Sequence, residues 1–170
     1  MDYLNAGDAV EVKIGQGAKP GMGGHLRGAE VAEDVSRVRG VPIGSDALSP
    51  CRYYDVETLE DMKHMVAFLR DVTHYQFPIL FKLGPSRPYA DVAACIEAGA
   101  DAISIDGLVG GTGCSPDIVT QGVGIPTIAC LPPAVQALKD YGVHHKVKLI
   151  ALGGLRNGLD AYKCLAMGAD

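Results

Sequence analysis

At 170 residues the chain has room for one domain, and 48% hydrophobic residues with 22 glycines exclude a disordered polymer while suiting a packed α/β protein with many tight exits from strands. Fifteen Lys and Arg against twenty Asp and Glu leave a formal charge of −5 without a basic cluster, which argues against nucleic acid as a partner. No run approaches the roughly 18 apolar residues of a membrane span, and Met1-Asp-Tyr-Leu-Asn5 lacks the basic and apolar regions of a signal peptide, so no membrane association and a cytoplasmic location are expected.

In chain order, the first strand is expected at Val10–Ile14, where apolar and polar residues alternate. It runs into Lys13-Ile-Gly-Gln-Gly-Ala-Lys-Pro-Gly-Met-Gly-Gly-His25, whose glycines let backbone approach a ligand and whose Lys19 offers a cation to a carboxylate or phosphate. This spacing fits neither G-x-x-x-x-G-K-[ST] nor G-x-G-x-x-G. After Asp55, the residues Val56, Leu59, Met62, Val66 and Leu69 recur at near-helical spacing, and Thr58-x-x-Asp61 has the form of a capping box, which predicts a surface helix. Further strands are expected at Pro78–Lys82, Ala102–Ile105, Pro126–Ala129 and Val147–Leu152. Two of these also lead into glycines, at Gly110-Gly-Thr-Gly113 and Gly153-Gly-Leu-Arg-Asn-Gly158.

The segment Asp91-Val-Ala-Ala-Cys95-Ile-Glu-Ala-Gly99-Ala-Asp101 repeats at Asp160-Ala-Tyr-Lys-Cys164-Leu-Ala-Met-Gly168-Ala-Asp170 with the same Asp, Cys, Gly, Ala and Asp positions. In the first copy a helix is expected to end on Gly99, with the next strand following at once. Strands separated by helices predict a parallel sheet whose ligands gather beyond the C-terminal strand ends. The second copy stops at Asp170, where its strand should start, and five strands cannot close an eight-stranded barrel, so the fold expected is α/β, a partial (β/α)8 TIM barrel truncated at that point. Its open sheet edges predict homo- or hetero-oligomers.

The five cysteines, Cys51, Cys95, Cys114, Cys130 and Cys164, are scattered without a C-x-x-C, and the five histidines form no H-x-x-x-H, so no metal site is expected on this chain.

Taken together, Lys13 to Leu26, Arg37-Val-Arg-Gly-Val-Pro42, Ala47-Leu-Ser-Pro50, Ile105-Asp-Gly-Leu-Val-Gly-Gly-Thr-Gly113 and Gly153-Gly-Leu-Arg156 resemble the FMN-binding synthase domain of glutamate synthase. The likeness is strongest to the short archaeal-type large subunit and its N-methylglutamate synthase relatives, and it implies that residues 1–170 are the middle and later strands of one FMN-binding (β/α)8 barrel domain, truncated at both ends and without the last strand. It implies an oxidoreductase acting on CH–NH2 donors, in which FMN serves to reduce the 2-iminoglutarate formed from 2-oxoglutarate and ammonia, or a related amine, to L-glutamate. A 3Fe-4S cluster is implied for the full-length protein with ligands outside this chain, as are glutaminase and electron-donor domains or subunits.

The resemblance also implies residue roles. Lys19 and Arg39 match positions that bind the carboxylates of 2-oxoglutarate, as a point cation and a planar fork suit. His25 stands where longer family members have glutamine, within the substrate loop, and Met22 stands where they have glutamate. Lys82 matches the lysine beside the flavin pyrimidine ring, and Gln16 and Ser49 match strand-end positions facing the flavin. Gly110, Gly111, Thr112, Gly113, Gly153, Gly154 and Arg156 most resemble contacts to the FMN phosphate and ribityl chain, with Asp106 orienting the first of these loops. Two other readings stand beside this one. Cys114 in its glycine loop resembles the nucleophile of IMP dehydrogenase and GMP reductase barrels, and a non-catalytic scaffold would keep the packing without the flavin.

Overall fold

The structure is a computed structural model that describes residues 2–170. Its elements in order are α1 (Asp2–Asn5), β1 (Val10–Lys13), β2 (His25–Leu26), α2 (Glu33–Arg39), β3 (Ala47–Leu48), α3 (Leu59–Val72), β4 (Ile79–Leu83), α4 (Pro88–Ala98), β5 (Ala102–Asp106), α5 (Asp117–Gly122), α6 (Thr127–Asp140), β6 (Lys148–Leu152) and α7 (Gly158–Ala166). Four strands form one parallel sheet in the order β1-β4-β5-β6, and β2 pairs antiparallel with β3 in a small separate ribbon.

The parallel register sorts the strand residues onto two faces. Val12, Phe81, Ile103 and Leu149 fall in line across the sheet, and Leu83 and Ile105 continue that face toward the C-terminal ends. All are buried against the helices in one core that also takes Val66, Val92, Cys95, Cys130, Leu131, Ala134, Leu138 and Cys164. Burying each of the larger side chains contributes about 1.5–3 kcal/mol. The opposite face carries Glu11, Lys13, Lys82, Ser104 and Asp106, with the Ser104 hydroxyl donating to Glu11 at 3.1 Å. A parallel sheet is ordinarily covered on both faces, and a polar second face is what the lumen side of a barrel presents at its strand ends.

Local signals behave as their chemistry requires. Thr58 and Asp61 close a capping box at the start of α3: the Thr58 hydroxyl accepts the Asp61 N–H at 3.2 Å and the Asp61 carboxylate accepts the Thr58 N–H at 2.9 Å. The repeated segment is a structural clip used twice. Gly99 and Gly168 end their helices at φ 95° and 100°, a conformation that favours glycine, and the following aspartate turns back onto a strand. Asp101 accepts the Ile79 N–H at 2.7 Å, and Asp170 accepts the Leu149 N–H at 3.0 Å. Both repeated cysteines are buried, so the repeat serves packing.

One expected strand is corrected. Pro126–Ala129 does not extend the sheet, because Thr127 begins α6 and its hydroxyl lies 2.6 Å from the Leu152 carbonyl and 2.8 Å from that of Gly153. Pro126, at φ −59°, suits a helix entry, whereas Pro132 and Pro133 inside α6 remove backbone donors and oppose it. The helix persists because Cys130, Leu131, Ala134 and Ala137 are all fully buried beneath it. The sheet accordingly has four strands where the sequence pattern suggested five.

Candidate active site at the strand ends

Because the four strands are parallel, the segments that follow β1, β5 and β6 leave from one rim, and Lys82 lies near the end of β4 at that rim. The segment after β1 crosses the tips of β4 and β5 so closely that side chains are shut out. A Cβ on Gly17 would lie 2.1 Å from the Gly107 carbonyl oxygen, and one on Gly84 would lie 2.2 Å from that of Gln16. Gly17 thus serves backbone-on-backbone packing, which corrects for this position the expectation that the loop's glycines stand bare for a ligand, whereas Gly21 of the same loop, at φ 73°, does face open space. Open space is also found over Gly111, at φ 72°, and over Gly113.

Folded this way, the loop pushes Lys19 inward. The residue is 6% exposed, and its Nζ donates to the Cys114 carbonyl at 2.8 Å. Burial is the main cause of its lowered pKa, partly offset by the Cys114 side chain and reinforced by Lys13. Lys19 lines a cleft of about 440 Å³ together with Gln16, Arg39, Ser49 and Thr112. The four cations of the wall are Lys13, Lys19, Arg39 and Arg52, of which Arg52 is held by Glu57 at 3.0 Å. No aspartate or glutamate lines this cleft among the described residues, although the chain as a whole is acidic. Such a surface is built for an anion.

A second cleft, of about 490 Å³, is lined by Gly153, Gly154 and Arg156 with Val109, Lys163 and Asp160. The loop after β5 lies between the two, since Val109 faces one and Thr112 the other. Arg156 is exposed and already engaged, its Nε donating to Asp160 at 2.9 Å, which holds its pKa above that of an ordinary arginine.

Lys82 and Asp106 meet at 3.6 Å on the polar face of the sheet. Asp106 is 7% exposed and accepts the Gly17 N–H at 3.2 Å. The expected partner of Asp106 was its own loop, Gly110 to Gly113. The amide it receives belongs instead to the loop after β1, across a separation of 89 residues.

His25 is placed differently from expectation. It lies in β2, its Nε2 sits 2.8 Å from Asp46, and it is not part of either cleft wall. That hydrogen bond is the main reason the Asp46 carboxyl lies below the usual carboxylate range. Sequence reasoning in turn passed over Lys13, which lines the first cleft and stands level with Lys82 on the neighbouring strand. The signal was present, because Val10-Glu-Val-Lys13 ends in an alternating lysine just as Ile79-Leu-Phe-Lys82 does.

Residues 1–170 match the family described as the conserved region in glutamate synthase. The chain belongs to the glutamate synthase family. It is 46% identical over 167 residues to a glutamate synthase large subunit-like protein of Rhizobium meliloti, covering 98% of this chain and 38% of that protein. It is 45% identical to an archaeal-type glutamate synthase [NADPH] of Thermotoga maritima, covering 99% of this chain and 34% of that one. For an archaeal glutamate synthase [NADPH] of Archaeoglobus fulgidus the identity is 42%, over 99% of this chain and 33% of the relative. The chain thus spans about a third of the length of these relatives. Among solved structures, a double mutant of flavocytochrome b2 with pyruvate bound matches with a TM-score of 0.58 at 18% identity, over 99% of this chain and 36% of that one. That likeness bears on fold alone: the chain is part of a (β/α)8 barrel. Membership of the glutamate synthase family leaves the nucleotide dehydrogenase reading of Cys114 without support, and it is the carbonyl of this residue, not its thiol, that receives Lys19.

Proposed function

We propose that the full-length protein forms L-glutamate by reducing the 2-iminoglutarate produced from 2-oxoglutarate and ammonia or a related amine, and that this chain supplies the substrate cleft and much of the flavin site. The observation that carries the reading is the first cleft, with four cations and no described acid in a protein of net negative charge.

In this reading Lys19 and Arg39 pair with the two carboxylates of 2-oxoglutarate, and Lys13 adds a third positive charge to the same wall. Buried Lys19 meets its carboxylate in a medium of low dielectric and contributes most, whereas exposed Arg39 contributes a weaker, orienting contact. Gln16 and Ser49 line the same cleft and offer hydrogen bonds that fix the substrate's orientation.

The residues at the rim also fit FMN. Gly111 and Gly113 leave space for close approach, Gly153, Gly154, Arg156 and Lys163 share one cleft, and Lys82 supplies a cation. Amides of Gly111, Gly113, Gly153 and Gly154, with the Thr112 hydroxyl, would hold the phosphate and ribityl oxygens, Gly110 would shape that loop with its own amide donated to the Gly107 carbonyl at 3.0 Å, and Arg156 would have to share its guanidinium with Asp160. Bound FMN would supply the two-electron reduction of the imine. Lys82 would hold positive charge next to the ring system. The 3Fe-4S cluster, the glutaminase and the electron donor are assigned to other parts of the full-length protein or its subunits, and its cellular setting to the cytoplasm. Cys95, Cys130 and Cys164 are buried in the packing core.

The full-length protein, reconstituted with FMN, is expected to show the two absorbance bands of an oxidised flavin, and titration with 2-oxoglutarate is expected to perturb them. A protein that retains no flavin after reconstitution would leave the scaffold reading in its place.

A further inference from the structure

Asp106 holds an unusual position for an aspartate that leads into a turn. A turn aspartate accepts amides two or three residues further along its own chain. Asp106 takes the amide of Gly17, 89 residues away, with the same oxygen, Oδ2, that faces Lys82 at 3.6 Å. Its other oxygen lies against the remaining glycine loops: a Cβ on Gly110 would be 2.6 Å from Oδ1, and one on Gly153 would be 3.1 Å from it. One carboxylate, 7% exposed, therefore touches the loop that carries Lys19, its own loop and the loop after β6, and also neutralises part of the strand-end lysine's charge. A carboxylate buried this deeply is costly, and packing alone would be served as well by an apolar side chain of similar size.

We propose that Asp106 is the positioning residue of the site. Its Oδ2 sets where the Lys82 ammonium sits and ties the loop of Lys19 to the same point, so that the substrate-binding cation and the flavin-side cation are held in one fixed arrangement. The negative charge of Asp106 also lowers the positive potential that Lys82 presents to a flavin. This deepens the function proposed above and rests on it for the flavin-dependent part.

The test compares Asp106→Asn with Asp106→Ala in the full-length protein. Asparagine keeps an oxygen that can accept the Gly17 N–H but removes the charge, and alanine removes both. In the flavin-free protein, hydrogen exchange of the amides at residues 15–24 should stay within about threefold of wild type for Asn and accelerate about tenfold or more for Ala, as expected for loss of a charge-assisted hydrogen bond. With FMN bound, both variants should shift the flavin midpoint potential to more positive values, because a negative charge beside Lys82 has gone. Unchanged exchange in the Ala variant would overturn the anchoring role. If that variant does not accumulate folded, the Asn variant decides, since an unchanged potential there would overturn the proposal by itself. Should wild type bind no FMN, the functional reading fails, and the exchange experiment still decides whether Asp106 anchors the loop.

Discussion

Replacing Lys19 by methionine removes the buried ammonium while keeping most of the side-chain volume, so that a loss of binding can be read as a loss of charge. Two contacts are at stake. The first is the 2.8 Å bond to the Cys114 carbonyl, which the free protein already makes and whose loss lowers stability. The second is the pairing with a substrate carboxylate, which exists only in the complex. Lys19 is 6% exposed, so the attraction is weakly screened, and a hydrogen bond to a charged group contributes about 1.5–3 kcal/mol. At about 1.4 kcal/mol per decade, Lys19→Met should weaken 2-oxoglutarate binding by roughly 10- to 150-fold. Arg39→Met, at an exposed position, should weaken it only several-fold. The measurement is calorimetric titration of the full-length protein with 2-oxoglutarate, alongside chemical denaturation of the free variants. If Lys19→Met lowers stability but binds within twofold of wild type, the lysine exists to hold the Cys114 loop and the assignment of the cleft is wrong.

The lowered pKa of Lys19 has a signed consequence. The ammonium is the binding form and burial in the free protein holds its pKa below that of an ordinary lysine, so affinity for 2-oxoglutarate should be flat at lower pH and fall as pH climbs through that lowered value. The alkaline limb should vanish in Lys19→Met. Gly17→Ala places a Cβ 2.1 Å from the Gly107 carbonyl oxygen and must move the loop, with an expected cost of about 1–3 kcal/mol in a denaturant titration and a larger proportional loss of substrate affinity. Thiol alkylation followed by mass spectrometry should label exposed Cys51 first and leave Cys95 and Cys130 unreacted in the folded protein, because burial pushes their thiols up to about 12 and about 11. Rapid labelling of either buried cysteine would mean that the packing of α4 and α6 on the sheet has been misjudged.

Much of this architecture is set by interactions over a few residues, and those parts are legible in the sequence. Thr58 and Asp61 cap α3 because a hydroxyl and a carboxylate three positions apart reach each other's amides. Gly99 and Gly168 end their helices because few other residues accept φ near 100°. Alternating residues place Lys82 on the polar face of its strand, and the glycine-bearing loops after three strands are read directly from the sequence. What the tertiary structure alone decided depends on partners far away in the chain. Pro126–Ala129 has the composition of a strand, yet Thr127 starts a helix whose Cys130, Leu131, Ala134 and Ala137 are fully buried, and its hydroxyl lies within hydrogen-bond reach of carbonyls 25 and 26 residues away. His25 sits in the loop expected to bind substrate, but the β2–β3 ribbon brings Asp46 to its ring. Lys13 joins the cationic wall and Asp106 reaches Gly17 only once the parallel sheet brings the strand tips to one rim. Periodicity within a segment tells which face a side chain takes, whereas the group it meets there is chosen by how separate segments pack.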